Sequence, residues 1–123
     1  MSVSKKDGRV ATGHPDGSLR IWDPRTFSQR GNAETLAQSH FLVHTNWISG
    51  VAWSPRNEHQ LVTAGYDGQV RIVDVRGKAA LHVIKEAGGK AGGKVLCCDW
   101  QGEHVFFGGE DNELHVYGVK NFG

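Results

Sequence analysis

Cysteine is nearly missing from this chain: two residues in 123, and they are neighbours, Cys97 and Cys98. A bridge between adjacent cysteines is strained, and strand geometry turns their side chains to opposite faces. No disulfide framework follows. The pair reads as two small buried hydrophobes, consistent with a reducing compartment. Long apolar runs are missing too. No stretch of roughly 18 apolar residues could span a bilayer, and no helical periodicity lasts beyond about three turns. The N-terminus, MSVSKKDGR, lacks the apolar centre of a secretory signal, so an intracellular protein is expected, with no membrane partner.

An excess of one charge is also lacking. Fourteen Lys and Arg face thirteen Asp and Glu, and the two signs are interspersed, which excludes the basic stripe of a nonspecific nucleic-acid binder. The one lysine-bearing run, KEAGGKAGGK (85–94), is glycine-rich and reads as a flexible loop. Direct RNA contact from this segment is not expected. No P-loop or G-x-S-x-G motif is present. The seven histidines do not suggest a metal centre, so no metal, no cofactor and no catalytic residue are expected. The acidic pair Glu110–Asp111 is explained by a turn.

What the chain does have is glycine, 17 residues, and one pattern written three times. The copies are VATGHPDGSLRIWD (10–23), LVTAGYDGQVRIVD (61–74) and VFFGGEDNELHVYG (105–118). Their turn aspartates, Asp16, Asp67 and Asp111, stand about 51 and 44 residues apart, near the period of a propeller blade. Asp-Gly supplies the positive φ that hairpin turns require, and Asn112 serves in the third copy. Each copy therefore reads as a hairpin.

A further strand precedes two hairpins, WISGVAWSP (47–55) and KVLCCDW (94–100). The two align so that Ile48 matches Val95, Val51 matches Cys98 and Trp53 matches Trp100. The first copy has only a stub, with Val3 at the place of those tryptophans. TLAQSHFLV (35–43) and ALHVIK (80–85) supply outer strands. The expected fold is all-β: four-stranded antiparallel propeller blades, about three of them, over units 1–43, 44–85 and 94–120. The strands are apolar on both faces, as sheets stacked against sheets are.

WDPR (22–25), HTNWISGVAWSP (44–55) and GYDGQVRIVD (65–74) resemble WD repeats. That resemblance implies a buried tetrad of His, Ser or Thr, Asp and Trp in each blade. The middle blade matches His44, Thr63 and Asp67, with Val73 in place of the Trp. The first matches Thr12, Asp16 and Trp22, its His falling before Met1. The third keeps Asp111, with Phe107 and Tyr117 in the other places. Gly13-His14 imitates the family's Gly-His dipeptide but lies in the hairpin. His44, Thr63 and Asp67 also look like a base, nucleophile and orienting acid. Their spacing fits the blade tetrad better, and catalysis is not expected.

Three blades do not close a ring. The chain resembles the C-terminal blades of a longer, seven-bladed protein, and alone it is expected to associate or to be poorly soluble. The series WDPRT, HTNWISGVAWSP, GKVLCCDW and FFGGEDNELHVYG is similar to the WD-repeat subunit of the pescadillo-containing (PeBoW) complex. The resemblance implies a non-catalytic scaffold for large-subunit rRNA maturation and pre-ribosome assembly in the nucleolus and nucleoplasm. Its implied partners are another WD-repeat subunit and pescadillo. That family's ubiquitin-like domain lies outside these 123 residues, and its role is not carried over. A peroxisomal import receptor or a ubiquitin-ligase substrate receptor is the alternative. In this family the residues before the turn Asp and at the inner-strand entrance commonly face partners. Here these are Pro15, Tyr66 and Glu110, with Asn46 and Trp47.

Overall fold

The computed structural model describes residues 2–3, 8–23, 39–57, 59–77, 79–85, 87–88 and 93–119, and all regular structure among them is strand. The first sheet runs in the order β1 (Ser2–Val3), β2 (Val10–Gly13), β3 (Ser18–Trp22), β4 (Ser39–Leu42). The second is β5 (Ile48–Trp53), β6 (Gln60–Gly65), β7 (Val70–Asp74), β8 (Ala79–Ile84). The third is β9 (Val95–Gln101), β10 (His104–Gly109), β11 (Leu114–Gly118). Every pairing is antiparallel between sequence neighbours. The outer strand expected over 35–43 is observed at Ser39–Leu42; residues 35–38 lie outside the described residues, as does most of the 85–94 run.

The register reproduces the alignment of the copies. Val3 pairs with Val10, Trp53 with Leu61 and Trp100 with Val105, so the stub strand occupies the tryptophans' place. The second and third sheets also share one irregularity. Ile48 faces Gly65 and Gly50 faces Ala64, as Val95 faces Gly109 and Cys97 faces Gly108. An extra residue on the inner strand is a β-bulge, which bends the strand at its entrance. The three turns place Gly17, Gly68 and Asn112 at positive φ, at 82°, 80° and 60°.

Two apolar layers join the sheets. Ala11, Leu19 and Ile21 of the first meet Val51, Trp53, Leu61 and Val73 of the second. Ala52, Val62, Ala64, Val70 and Ile72 of the second meet Val95, Trp100, Val105 and Phe107 of the third. All six residues of β6 are buried, because this strand is covered on both faces. A fully buried side chain of the Val, Leu or Phe type contributes about 1.5–3 kcal/mol, so these layers hold the stack together.

The expectation that both cysteines are buried is met in part by the second, which is half-buried, and not by the first. Cys98 turns its sulfur into the seam between the second and third sheets, 3.9 Å from the Val62 carbonyl. Burial, aided by Cys97 and Asp99, pushes its thiol up to about 12. Cys97 is exposed on the outer face of the third sheet. Alternation separates the two, and only one face of that sheet is covered.

Candidate protein-docking rim

The middle sheet brings His44, Thr63 and Asp67 together. The His44 side chain is wholly buried and lies 3.0 Å from both carboxylate oxygens of Asp67 through Nδ1. Its Nε2 is 2.7 Å from the Thr63 hydroxyl. A neutral ring meets both demands: Nδ1–H donates to Asp67 and Nε2 accepts from Thr63. Asp67 also accepts from the Thr45 N–H at 3.2 Å and the Gln69 N–H at 3.1 Å. One carboxylate thus ties the entrance of β5 to the β6–β7 turn. Val73 fills the tryptophan's place and is 1% exposed.

Burial holds the His44 imidazole below its ordinary value, against the pull of Asp67 in the other direction. Burial opposes the Asp67 carboxylate as well, but the bonds from His44, Thr45 and Gln69 outweigh it and hold this group low. A histidine depressed on folding makes the unfolded chain bind a proton that the folded chain refuses. Its contribution to stability is therefore present above the unfolded value of 6.5 and lost as pH falls below it. The Asp67 contribution persists further down and is lost below the ordinary carboxylate range, near 4. We expect the melting temperature to drop between pH 7 and pH 5, and His44→Asn to flatten that slope. Equal slopes by differential scanning fluorimetry would remove His44 as the cause.

In the first sheet the Trp22 indole N–H donates to Thr12 Oγ1 at 2.8 Å. Thr12 Oγ1 lies 2.7 Å from His14 Nε2. His14, in the hairpin, thus sets an imidazole on Thr12 as His44 does on Thr63. It can do so because residues two apart on an extended strand share a side. Asp16 is exposed and instead accepts the Ser18 N–H at 2.9 Å, closing its own turn. In the third sheet Asp111 does not stand alone. His115 Nε2 lies 2.6 Å from its Oδ2, and the His115 ring stacks on Phe107 with centroids 5.1 Å apart. Tyr117, at the tryptophan's place, bonds His82 Nε2 of the second sheet at 2.8 Å. His14, His82 and His115 were all missed by the motif.

Metal ligation gains no support from these histidines. His40 and His44 do stand at the H-x-x-x-H interval. That interval aligns ligands on a helix, whereas here β4 ends between them and His44 is committed to Thr63 and Asp67. The ligand atoms of Asp111, Glu113 and His115 come within 4.8 Å of one another, an approach already closed by the Asp111–His115 bond.

Beside the middle tetrad lies an exposed ledge. Trp47 is 53% exposed, and its ring lies 4° from parallel with that of Tyr66, centroids 6.1 Å apart. The Tyr66 N–H donates to the Trp47 carbonyl at 2.8 Å, and Asn46 Oδ1 accepts the Trp47 N–H at 2.8 Å. Lys94 carries the ledge to the third sheet, with Nζ 4.9 Å from the Tyr66 ring centroid. Its N–H donates to Glu110 Oε1 at 2.8 Å, and its carbonyl accepts the Glu110 N–H at 3.0 Å. Asn46, Trp47, Tyr66 and Glu110 thus share one rim, joined by Lys94. Pro15 is exposed at the equivalent turn of the first sheet.

Comparison with known proteins agrees with this architecture. The family model "WD domain, G-beta repeat" matches residues 36–74. "Ribosome biogenesis protein WDR12 homolog" of Culex quinquefasciatus is 37% identical over 121 residues, covering 98% of this chain and 27% of that protein. The protein of the same name from Oryza sativa subsp. japonica is 36% identical over 108 residues, covering 87% of this chain and 23% of that protein. The chain thus spans about a quarter of the length of the curated relatives it matches. The crystal structure of the Myceliophteria thermophila Cps50 (Swd1) β-propeller domain superposes with a TM-score of 0.74 at 16% identity, covering 98% of this chain and 35% of that one. The fold is that of consecutive β-propeller blades, a part of a ring.

Proposed function

We propose that this chain is a non-catalytic docking segment of a ribosome-biogenesis scaffold, acting in large-subunit rRNA maturation and pre-ribosome assembly in the nucleolus and nucleoplasm. Its partners in this reading are another WD-repeat subunit and pescadillo. The pathway is suggested by the relatives' name, and docking rests on one observation: Trp47 is held flat against Tyr66 yet left more than half in solvent. The ledge costs little further ordering on binding, because hydrogen bonds already fix the backbone of both residues and their rings stack on each other. Large rigid aromatics of this kind are typical interface anchors.

Truncating such an anchor costs about 2 kcal/mol or more, a loss of roughly 30-fold in affinity. Tagged chain should recover pescadillo, the second WD-repeat subunit and pre-ribosomal RNA from nucleolar extract. Trp47→Ala should lose them while melting like the parent, and Leu81→Ala, also an exposed apolar residue, should keep them. Recovery undiminished by Trp47→Ala would overturn the ledge. Recovery of peroxisomal cargo or ubiquitin-ligase subunits in place of these partners would overturn the pathway.

A further inference from the structure

Two indole N–H groups of this chain meet opposite fates. That of Trp22 donates to Thr12 Oγ1 at 2.8 Å. That of Trp100, a residue only 5% exposed, is buried and meets no acceptor among the described residues. Buried polar groups are bonded as a rule, and each exception asks for a reason. Trp100 lines a cavity of about 40 Å³ where the β5–β6 turn meets the β9–β10 turn. Ser54, Arg56 and Gln60 line it from the second sheet, Gly102 and Glu103 from the third. It lies at the exit of β5, whereas the Trp47 ledge lies at the entrance. Both walls belong to the seam between two sheets of this chain.

The walls are set by their own hydrogen bonds. Ser54 Oγ accepts the Arg56 and Asn57 N–H groups at 3.2 and 3.1 Å, and the Gln60 carbonyl accepts the Ser54 N–H at 2.9 Å. On the other side the Glu103 carbonyl accepts the Val119 N–H at 2.8 Å. Arg56 Nη1 donates to Glu103 Oε1 at 3.0 Å across the mouth, with Arg56 mostly exposed and Glu103 partly so. Exposed pairs of this kind hold weakly, so the mouth opens at little cost.

Size and chemistry narrow what enters. The cavity exceeds the roughly 10–15 Å³ that admits one water, yet it takes only a terminal group of a few atoms. Trp100 calls for an acceptor. Gln60, 5% exposed on the same wall, carries both an acceptor and donors. Glu103 sets a negative charge at the mouth, which disfavours a carboxylate. A neutral group with C=O and N–H side by side meets all three demands.

We propose that this cavity receives the side-chain carboxamide of an Asn or Gln on a partner protein. Its oxygen accepts from Trp100 Nε1–H and its NH2 group meets Gln60. The site is a second point of contact, at the other end of the strands from the ledge, and it does not depend on the pathway in which the chain acts.

The probe is N-acetylasparagine amide, titrated into the isotope-labelled chain while the indole N–H resonances of its four tryptophans are followed by NMR. Trp100→Phe assigns the resonance of interest by its loss. That resonance should move downfield and saturate with a dissociation constant on the order of 10 mM, while those of Trp22, Trp47 and Trp53 stay in place. N-acetylaspartate amide and N-acetylalanine amide should bind at least about 10-fold more weakly. A Trp100 resonance that does not move means a cavity for water alone and overturns the proposal. An equal response to the alanine probe would assign the site to backbone amides, and a stronger one to the aspartate probe would assign it to an acidic partner. Either result overturns it as well.

Discussion

The Asp67→Ala chain is expected to melt about 4–12 °C below the parent, the equivalent of about 1–3 kcal/mol in a chain of this size. The loss comes from the donors left behind. The His44 Nδ1–H is wholly buried and has no acceptor other than this carboxylate in the observed geometry. Water cannot replace it unless the seam opens. The Thr45 and Gln69 N–H groups lose the same partner, so the tie between the entrance of β5 and the β6–β7 turn weakens to the Tyr66–Trp47 backbone bond. Asp67→Asn should recover part of the loss, because an amide oxygen still accepts from His44. The ledge should weaken in parallel, since Tyr66 adjoins Asp67 and holds Trp47 through its backbone N–H. An Asp67→Ala chain with the parent's melting temperature would show that the tetrad contributes nothing measurable.

The hairpins and their register are legible in the chain because the information is local. Asp-Gly or Asp-Asn sets the turn, and alternation fixes which residues share a face. His44, Thr63 and Asp67 are legible for a related reason: the repeat fixes their spacing. The imidazoles of the other two sheets are not. The first sheet takes His14 from its own hairpin, the third takes His115 from β11, and Tyr117 reaches back to His82 on β8. The need for a ring nitrogen is fixed in space, while several chain positions can meet it. Lys94 stands where the glycine-rich run meets the strand KVLCCDW, and only the fold shows its ammonium across Tyr66. Cys97 escaped because one sequence looks the same on a covered and an uncovered face.

Gly17→Ala is expected to cost about 3 kcal/mol or more, enough to unhinge the first sheet from the second. Two causes add. Gly17 sits at φ 82°, where an L residue costs about 1–2 kcal/mol. A Cβ there would also fall on the His44 carbonyl oxygen and come within 3.1 Å of the Asn46 carbonyl oxygen. These atoms are backbone and cannot rotate away. They belong to the segment that Gly17 itself holds, since its carbonyl accepts the Val43 and His44 N–H groups at 3.0 and 3.1 Å. Displacing the turn therefore breaks both bonds and disturbs the approach of His44 to Asp67. Gly17→Asn separates the two causes. Asparagine tolerates positive φ, as Asn112 does at the equivalent turn of the third sheet. The close approach would remain, so Gly17→Asn should be nearly as unstable as Gly17→Ala in urea denaturation, whereas Asn112→Gly should change little. A stable Gly17→Asn chain would mean that backbone conformation alone reserves this position for glycine, and that the carbonyl of His44 has room to move.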